Sequence, residues 1–134
     1  MTILETARAY KAISGLLDLK NLSGKTVLQL VRLSEKLKAA EDVLLNRQEA
    51  IIQQYADKDA DGQPVFDGGV VKVTDGVREI TATRARDALY NTEYDWEPSE
   101  KISVRLPKSQ VPISAKDVQT LMPFIDFGGI EDGD

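Results

Sequence analysis

From Leu22 to Asp57 the chain runs for about 36 residues without proline, and without glycine after Gly24. Within it Leu30, Leu33, Leu37, Ala40, Leu44 and Ile51 recur at intervals built from three and four residues, which places them on one face of an α-helix. At 1.5 Å per residue such a helix reaches roughly 50 Å, longer than a small domain is wide. It must pack along its whole length, against a second helix, a partner chain, or both.

A first helix is predicted over Ile3–Leu17, with Ile3, Tyr10, Ile13 and Leu17 on one face and Leu4, Ala7 and Leu16 beside them. Gly15 inside it costs about 1 kcal/mol relative to alanine. The link Asp18-Leu19-Lys20-Asn21 is short and Ser23 is a good N-cap, so the two helices are expected to be antiparallel neighbours. The first helix is less than half as long as the second. The distal half of the long helix, with Leu44, Leu45, Ile51, Ile52 and Tyr55, therefore has to be covered by the C-terminal part of the chain or by another protomer. A homo-oligomer, dimer or higher, sealed through Leu37, Leu44, Ile51 and Tyr55, is the expectation.

Composition narrows the function classes. The chain has no cysteine and no histidine, which removes thiol chemistry, the commonest general base and the commonest metal ligand. A net charge of −5 disfavours nucleic-acid binding. No apolar run is long enough to span a bilayer, and the first residues, Met1-Thr2-Ile3-Leu4-Glu5-Thr6, do not resemble a secretory signal. A cytosolic protein is expected, with no membrane association.

Past the long helix, Asp57-Lys58-Asp59-Ala60-Asp61-Gly62 breaks helical periodicity. Val65-Phe66, Val70–Val73 and Val77–Ile80, separated by Asp67-Gly68-Gly69 and Asp75-Gly76, predict a small β-meander over about 63–81. A third helix is expected over about 82–91, with Ala85, Ala88 and Leu89 on one face. Ile102–Leu106 alternates as a half-buried strand, Pro107 and Pro112 bracket a loop, and Ser114 caps a short helix running to about Met122. Phe124–Phe127 is apolar enough to dock on the core, and the tail from Gly128 to Asp134 is acidic. The expected fold is α+β and mainly helical. One domain covers 1–127, divided into a helical hairpin (1–60) and a small α/β part (61–127), and an acidic tail covers 128–134. The predicted core comprises Leu4, Tyr10, Ile13, Leu17, Leu30, Leu33, Leu37, Leu44, Ile51, Leu89, Trp96, Val104, Leu121 and Phe124.

Three groups of residues invite chemistry. Asp57, Asp59, Asp61 and Gly62 match the first half of a calcium loop, where oxygens at positions one, three and five meet one cation. The second half departs from it: Gly68 stands where a bidentate glutamate is needed, so a solvated turn is the expectation. Glu93, Asp95, Glu97 and Glu100 lie beside Tyr94 and Trp96, but strand alternation would send the acids to a wet face and the aromatics to the core. Lys25, Arg32, Lys36 and Lys38 make the proximal long helix basic, and Lys25, Arg32 and Lys36 are the candidate patch for a small anion. No phosphate loop, dinucleotide fingerprint or serine-nucleophile motif is present. No cofactor, resident metal or catalytic residue is expected.

The order of the pieces carries a resemblance. Gly24-Lys25-Thr26-Val27 opens the long helix and Ile51-Ile52-Gln53-Gln54-Tyr55 closes it. An acid-glycine turn follows, then Ala88-Leu89-Tyr90-Asn91-Thr92-Glu93, the Ile102–Leu106 segment, Ile113-Ser114-Ala115-Lys116-Asp117-Val118 and Leu121-Met122-Pro123-Phe124-Ile125. From about Leu4 to Phe127 this resembles a family of short uncharacterised proteins of tailed bacteriophages, chiefly from phages of Gram-positive hosts. Gly62–Thr81 matches least. The resemblance implies a phage or prophage origin and brings no catalytic residues. The expected function is that of an accessory protein in the host cytoplasm, acting without catalysis by binding a host defence or regulatory protein. The alternatives are a minor virion or tail-assembly component, and an oligomeric sponge for a small anionic ligand.

Overall fold

A computed structural model describes residues 1–19, 22–96, 98, 100–106 and 113–128. The elements are α1 (Ile3–Leu17), α2 (Gly24–Tyr55), β1 (Phe66–Asp67), β2 (Val70–Val71), α3 (Gly76–Tyr90), β3 (Ile102–Ser103), α4 (Ala115–Leu121) and β4 (Ile125–Asp126). The fold is α+β and mainly helical. The acidic tail after Gly128 and the proline-bracketed loop at 107–112 lie outside the described residues.

Each helix begins on a side-chain cap. Thr2 and Glu5 form a reciprocal capping box on α1, and Ser23 accepts from the amide of Thr26 at the start of α2. Ser114 accepts from the amide of Asp117 at the start of α4. The α1 and α2 bounds agree with the sequence expectation to within about two residues.

The pairing of α1 and α2 differs from the expectation in register. The buried positions of α1 are Ile3, Thr6, Ala7, Ala9, Ala12, Ile13 and Leu16. Its inner face is centred on small alanines, so α1 lies close against α2. Leu17, expected in the core, is 39% exposed because Leu16 takes the last inward position. Thr6 is fully buried, and its hydroxyl donates to the carbonyl of Thr2 at 2.9 Å. Leu4, Tyr10, Ile51 and Trp96 are half-buried and border the core.

Leu30, Leu33 and Leu37 of α2 share the main cluster with Ala9, Ala12, Ile13 and Leu16, and with Val104, Ile113, Leu121, Phe124, Ile125 and Phe127. A second cluster joins Ile3 and Ala7 to Leu44 and Leu89. The first turn of α1 therefore reaches Leu44, and the end of α3 closes over the same place.

The C-terminal layer is a parallel pair. Ile102 lies opposite Ile125 and Ser103 opposite Asp126, with the amides of Ile102 and Val104 donating to the carbonyls of Phe124 and Asp126, each at 3.0 Å. Parallel strands need a crossover, and α4, packed on α1, lies in that connection. The expected alternation holds along this segment: Ile102, Val104 and Leu106 are buried or half-buried, and Ser103 and Arg105 are exposed.

The meander is corrected to a single hairpin. Phe66 lies opposite Val71 and Asp67 opposite Val70, and the turn residues Gly68 and Gly69 both have positive φ, as a two-residue primed turn requires. Val77–Ile80 is not a third strand but the start of α3. The Asp75 carboxylate accepts from the amides of Val77 (2.9 Å) and Arg78 (3.1 Å). Asp75-Gly76 thus acts as an N-cap rather than a hairpin turn, and the helix starts six residues earlier than expected.

Candidate binding groove

Beyond Leu44, α3 packs on one side of α2, and the β1–β2 hairpin stands beside the last turns of α2. One residue ties these three elements together. At Ala56 the backbone leaves the helix for an extended conformation. The amide of Asp57 then donates to the carbonyl of Lys72 (2.9 Å), and its carbonyl accepts from the amide of Val65 (2.8 Å). The Asp57 carboxylate accepts from the Thr74 hydroxyl (2.8 Å), the Thr74 amide (3.1 Å) and Arg78 Nη2 (3.2 Å). Both ends of α2's exit are thereby joined to the hairpin and to the first turn of α3.

These donors hold the Asp57 carboxyl below its ordinary value of 3.8. The Thr74 hydroxyl acts most, then the Thr74 amide; desolvation opposes them, and the charges of Arg78 and then Lys72 add to the lowering. A carboxyl with a depressed folded-state value stabilises the fold above its unfolded value and loses that contribution as pH falls through the folded one. The hairpin and the first turn of α3 are therefore expected to lose amide-exchange protection, taken relative to the intrinsic rate at each pH, as pH drops below 3.8. Asp57→Asn should give fast exchange there already at neutral pH. Protection that is the same in Asp57→Asn and the unmutated chain would refute this role for the carboxylate.

The same geometry settles how the acid-glycine turn is built. Asp59 Oδ1 accepts from the amides of Asp61 (2.8 Å) and Gln63 (3.0 Å), and Gly62 has a φ of 78°. Asp57 is turned toward Thr74 and Arg78. Among the described residues no group of three acidic side chains is placed to hold a metal ion.

Between distal α2, the hairpin and α3 lies a groove of about 620 Å³. Ile51, Ile52 and Tyr55 of α2 and Val70, Val71 and Val73 of the hairpin give it apolar walls. From α3 come Glu79, Ala82, Thr83, Arg86 and Tyr90, spaced so that they share one helix face. Gln48 Nε2 donates to Tyr90 Oη at 2.7 Å where the two line the groove. Neither Arg86 nor Glu79 has an ion pair or side-chain hydrogen bond among the described residues.

No family model, curated protein or solved structure matches this chain. No described helix is long and apolar enough to cross a membrane.

The residues singled out from the sequence fall in three places. Leu37 and Leu44 are 0% and 6% exposed and are enclosed by the chain's own elements, so they offer no free seam to a second protomer. Long-range covering by α1, α3 and the C-terminal layer supplies what the sequence pattern left open. Ile51 and Tyr55 are half-buried and line the groove. Lys25, Arg32 and Lys36 are all exposed on one stripe of α2, seven and four residues apart, with no ion pair among the described residues; Lys38 pairs instead with Asp42 at 3.4 Å. The basic patch and the groove lie at opposite ends of α2. The aromatics beside the acids turn to the core, as alternation suggests: Tyr94 borders the second cluster with Tyr90, and Trp96 stacks on Phe124.

Sequence reasoning missed the outer face of α3. Val77, Ile80, Arg84 and Ala88 follow one another at three- and four-residue steps and all are exposed, Val77 at 75% and Ile80 at 55%. They lie on the side of α3 away from the groove-lining set. The signal was available as Asp75 capping an apolar pattern of helical period, and the strand reading of Val77–Ile80 hid it.

Proposed function

We propose that this protein acts by binding another protein, without catalysis, and that the outer face of α3 is the contact. The observation that carries the reading is the exposure of Val77 and Ile80, one turn apart on the side of α3 turned from the groove, where Arg84 and Ala88 continue the step. An apolar helical stripe of this spacing fits a hydrophobic groove on a partner. Phe66, on the hairpin, is also 53% exposed. The resemblance to tailed-phage proteins supports a role in the infected cell or the virion; the partner proposed is a host defence or regulatory protein, met in the host cytoplasm.

The test is affinity capture from infected host lysate, comparing the unmutated protein with the double variant Val77→Asp, Ile80→Asp. Both residues are exposed, so the variant should keep its helicity and lose little stability. The expected result is one host protein enriched by the unmutated chain and lost with the variant. A partner retained by the variant would remove α3 as the contact. Enrichment of tail or capsid proteins would make the chain a virion or assembly component instead.

A further inference from the structure

We infer that the groove between α2, the hairpin and α3 is a small-molecule site for an amphipathic anion, an apolar body carrying one carboxylate-like group. The site is separate from the outer face of α3 and does not depend on it. A volume of about 620 Å³ with mostly apolar walls and a few polar groups is the usual form of a ligand pocket.

The polar groups are arranged in order. Thr83, Arg86 and Tyr90 stand three and four residues apart on the groove face of α3, so hydroxyl, guanidinium and phenol follow one another along one wall. The Arg86 guanidinium and the Thr83 hydroxyl have no hydrogen-bond partner among the described residues. The Tyr90 oxygen accepts from Gln48, which leaves its own proton to donate. Arg86, a permanent cation, and Tyr90 thus stand toward one end of an apolar groove, with Thr83 between them and Glu79. An anionic head gains charge-assisted hydrogen bonds there. Glu79 lies seven residues before Arg86, roughly 10 Å away along the helix axis. It repels an anion from the other end and so sets the ligand's direction. The apolar body then lies over Ile51, Ile52 and Val71.

Fluorescent probes test this directly. Anilinonaphthalene sulfonate carries the anion, its sulfonate standing in for a carboxylate, and phenylnaphthylamine is the uncharged parent frame. The sulfonate is expected to bind at one site per chain, about tenfold tighter than the parent. Arg86→Gln should bring the two probes to equal affinity while leaving the parent unchanged. Thr83→Trp, which fills the groove from an exposed position, should abolish both, and decanoate should displace the sulfonate at about tenfold lower concentration than decanol. Equal binding of the two probes, unaffected by Arg86→Gln, would leave an apolar groove without anion recognition and overturn the inference. Probe binding that survives Thr83→Trp would place the ligand elsewhere and overturn it too. Binding that weakens as a dimer forms in light scattering would put a second copy in the groove instead. The double variant Val77→Asp, Ile80→Asp should leave probe binding intact, so loss of the protein partner and loss of the anion are separate results.

Discussion

Leu37→Ala is expected to lower the free energy of unfolding by about 2–5 kcal/mol. Leu37 is fully buried at mid-α2, in the cluster where α1, α2, α4 and the C-terminal strands meet. Truncation removes the transfer free energy of the side chain and leaves a void. Neighbours drawn from several elements far apart in sequence cannot all shift to fill it. Urea unfolding gives the number, and the slope with denaturant should be unchanged, since the same surface is exposed on unfolding. Leu45, half exposed at the edge of the buried face of the same helix, is the control, and Leu45→Ala should cost less than about 1 kcal/mol. The midpoint should not depend on protein concentration if Leu37 is buried by its own chain. A loss under about 1 kcal/mol at Leu37, or a concentration-dependent midpoint, would mean that the C-terminal layer does not cover α2 as described.

Phe124→Ala is expected to cost about 3–5 kcal/mol. Phe124 is 1% exposed, and its ring stacks on Trp96 with centroids 6.2 Å apart and planes 11° from parallel. Its carbonyl also accepts from the amide of Ile102, so the ring stands where the parallel pair begins. Trp96 is the only tryptophan, which makes fluorescence a local reporter. The variant should show red-shifted emission as water reaches the indole. Phe124→Leu keeps most of the apolar volume and removes the ring pair, and should cost about 0.5–1.5 kcal/mol less the repacking gain. Unchanged Trp96 emission in Phe124→Ala would argue against the stack.

The helices were legible because their information is local. A period of 3.6 and a capping residue at Ser23 or Ser114 specify an element without reference to the rest of the chain. The failures came where two local signals compete. Asp75-Gly76 suits both a hairpin turn and a helix start, and Val77–Ile80 is apolar enough for either. What decided between them was the Asp75 carboxylate accepting two amides of the first turn of α3; among the described residues the hairpin has two strands. In the sequence Asp57 is one of three alternating acids. Its actual role, joining α2, the hairpin and α3, depends on Thr74 and Arg78, which are 17 and 21 residues away.

The candidate site was legible only in fragments. Ile51 and Tyr55 stood out through the long apolar stripe, but Arg86, Thr83 and Tyr90 carried no motif. Their common face becomes meaningful only when α3 starts at Gly76 and lies over the end of α2. By itself the sequence determined the two long helical elements, their antiparallel order, the hairpin at Gly68-Gly69 and the mainly helical class. Each of these follows from the spacing of apolar residues and from backbone demands within a few positions. Only the tertiary structure decided that α1 reaches Leu44, that β3 pairs in parallel with β4, and that α3 and the hairpin stand beside the distal half of α2 around a groove. Those are contacts between segments tens of residues apart, and which of two apolar faces becomes buried depends on the shape of what arrives to cover it.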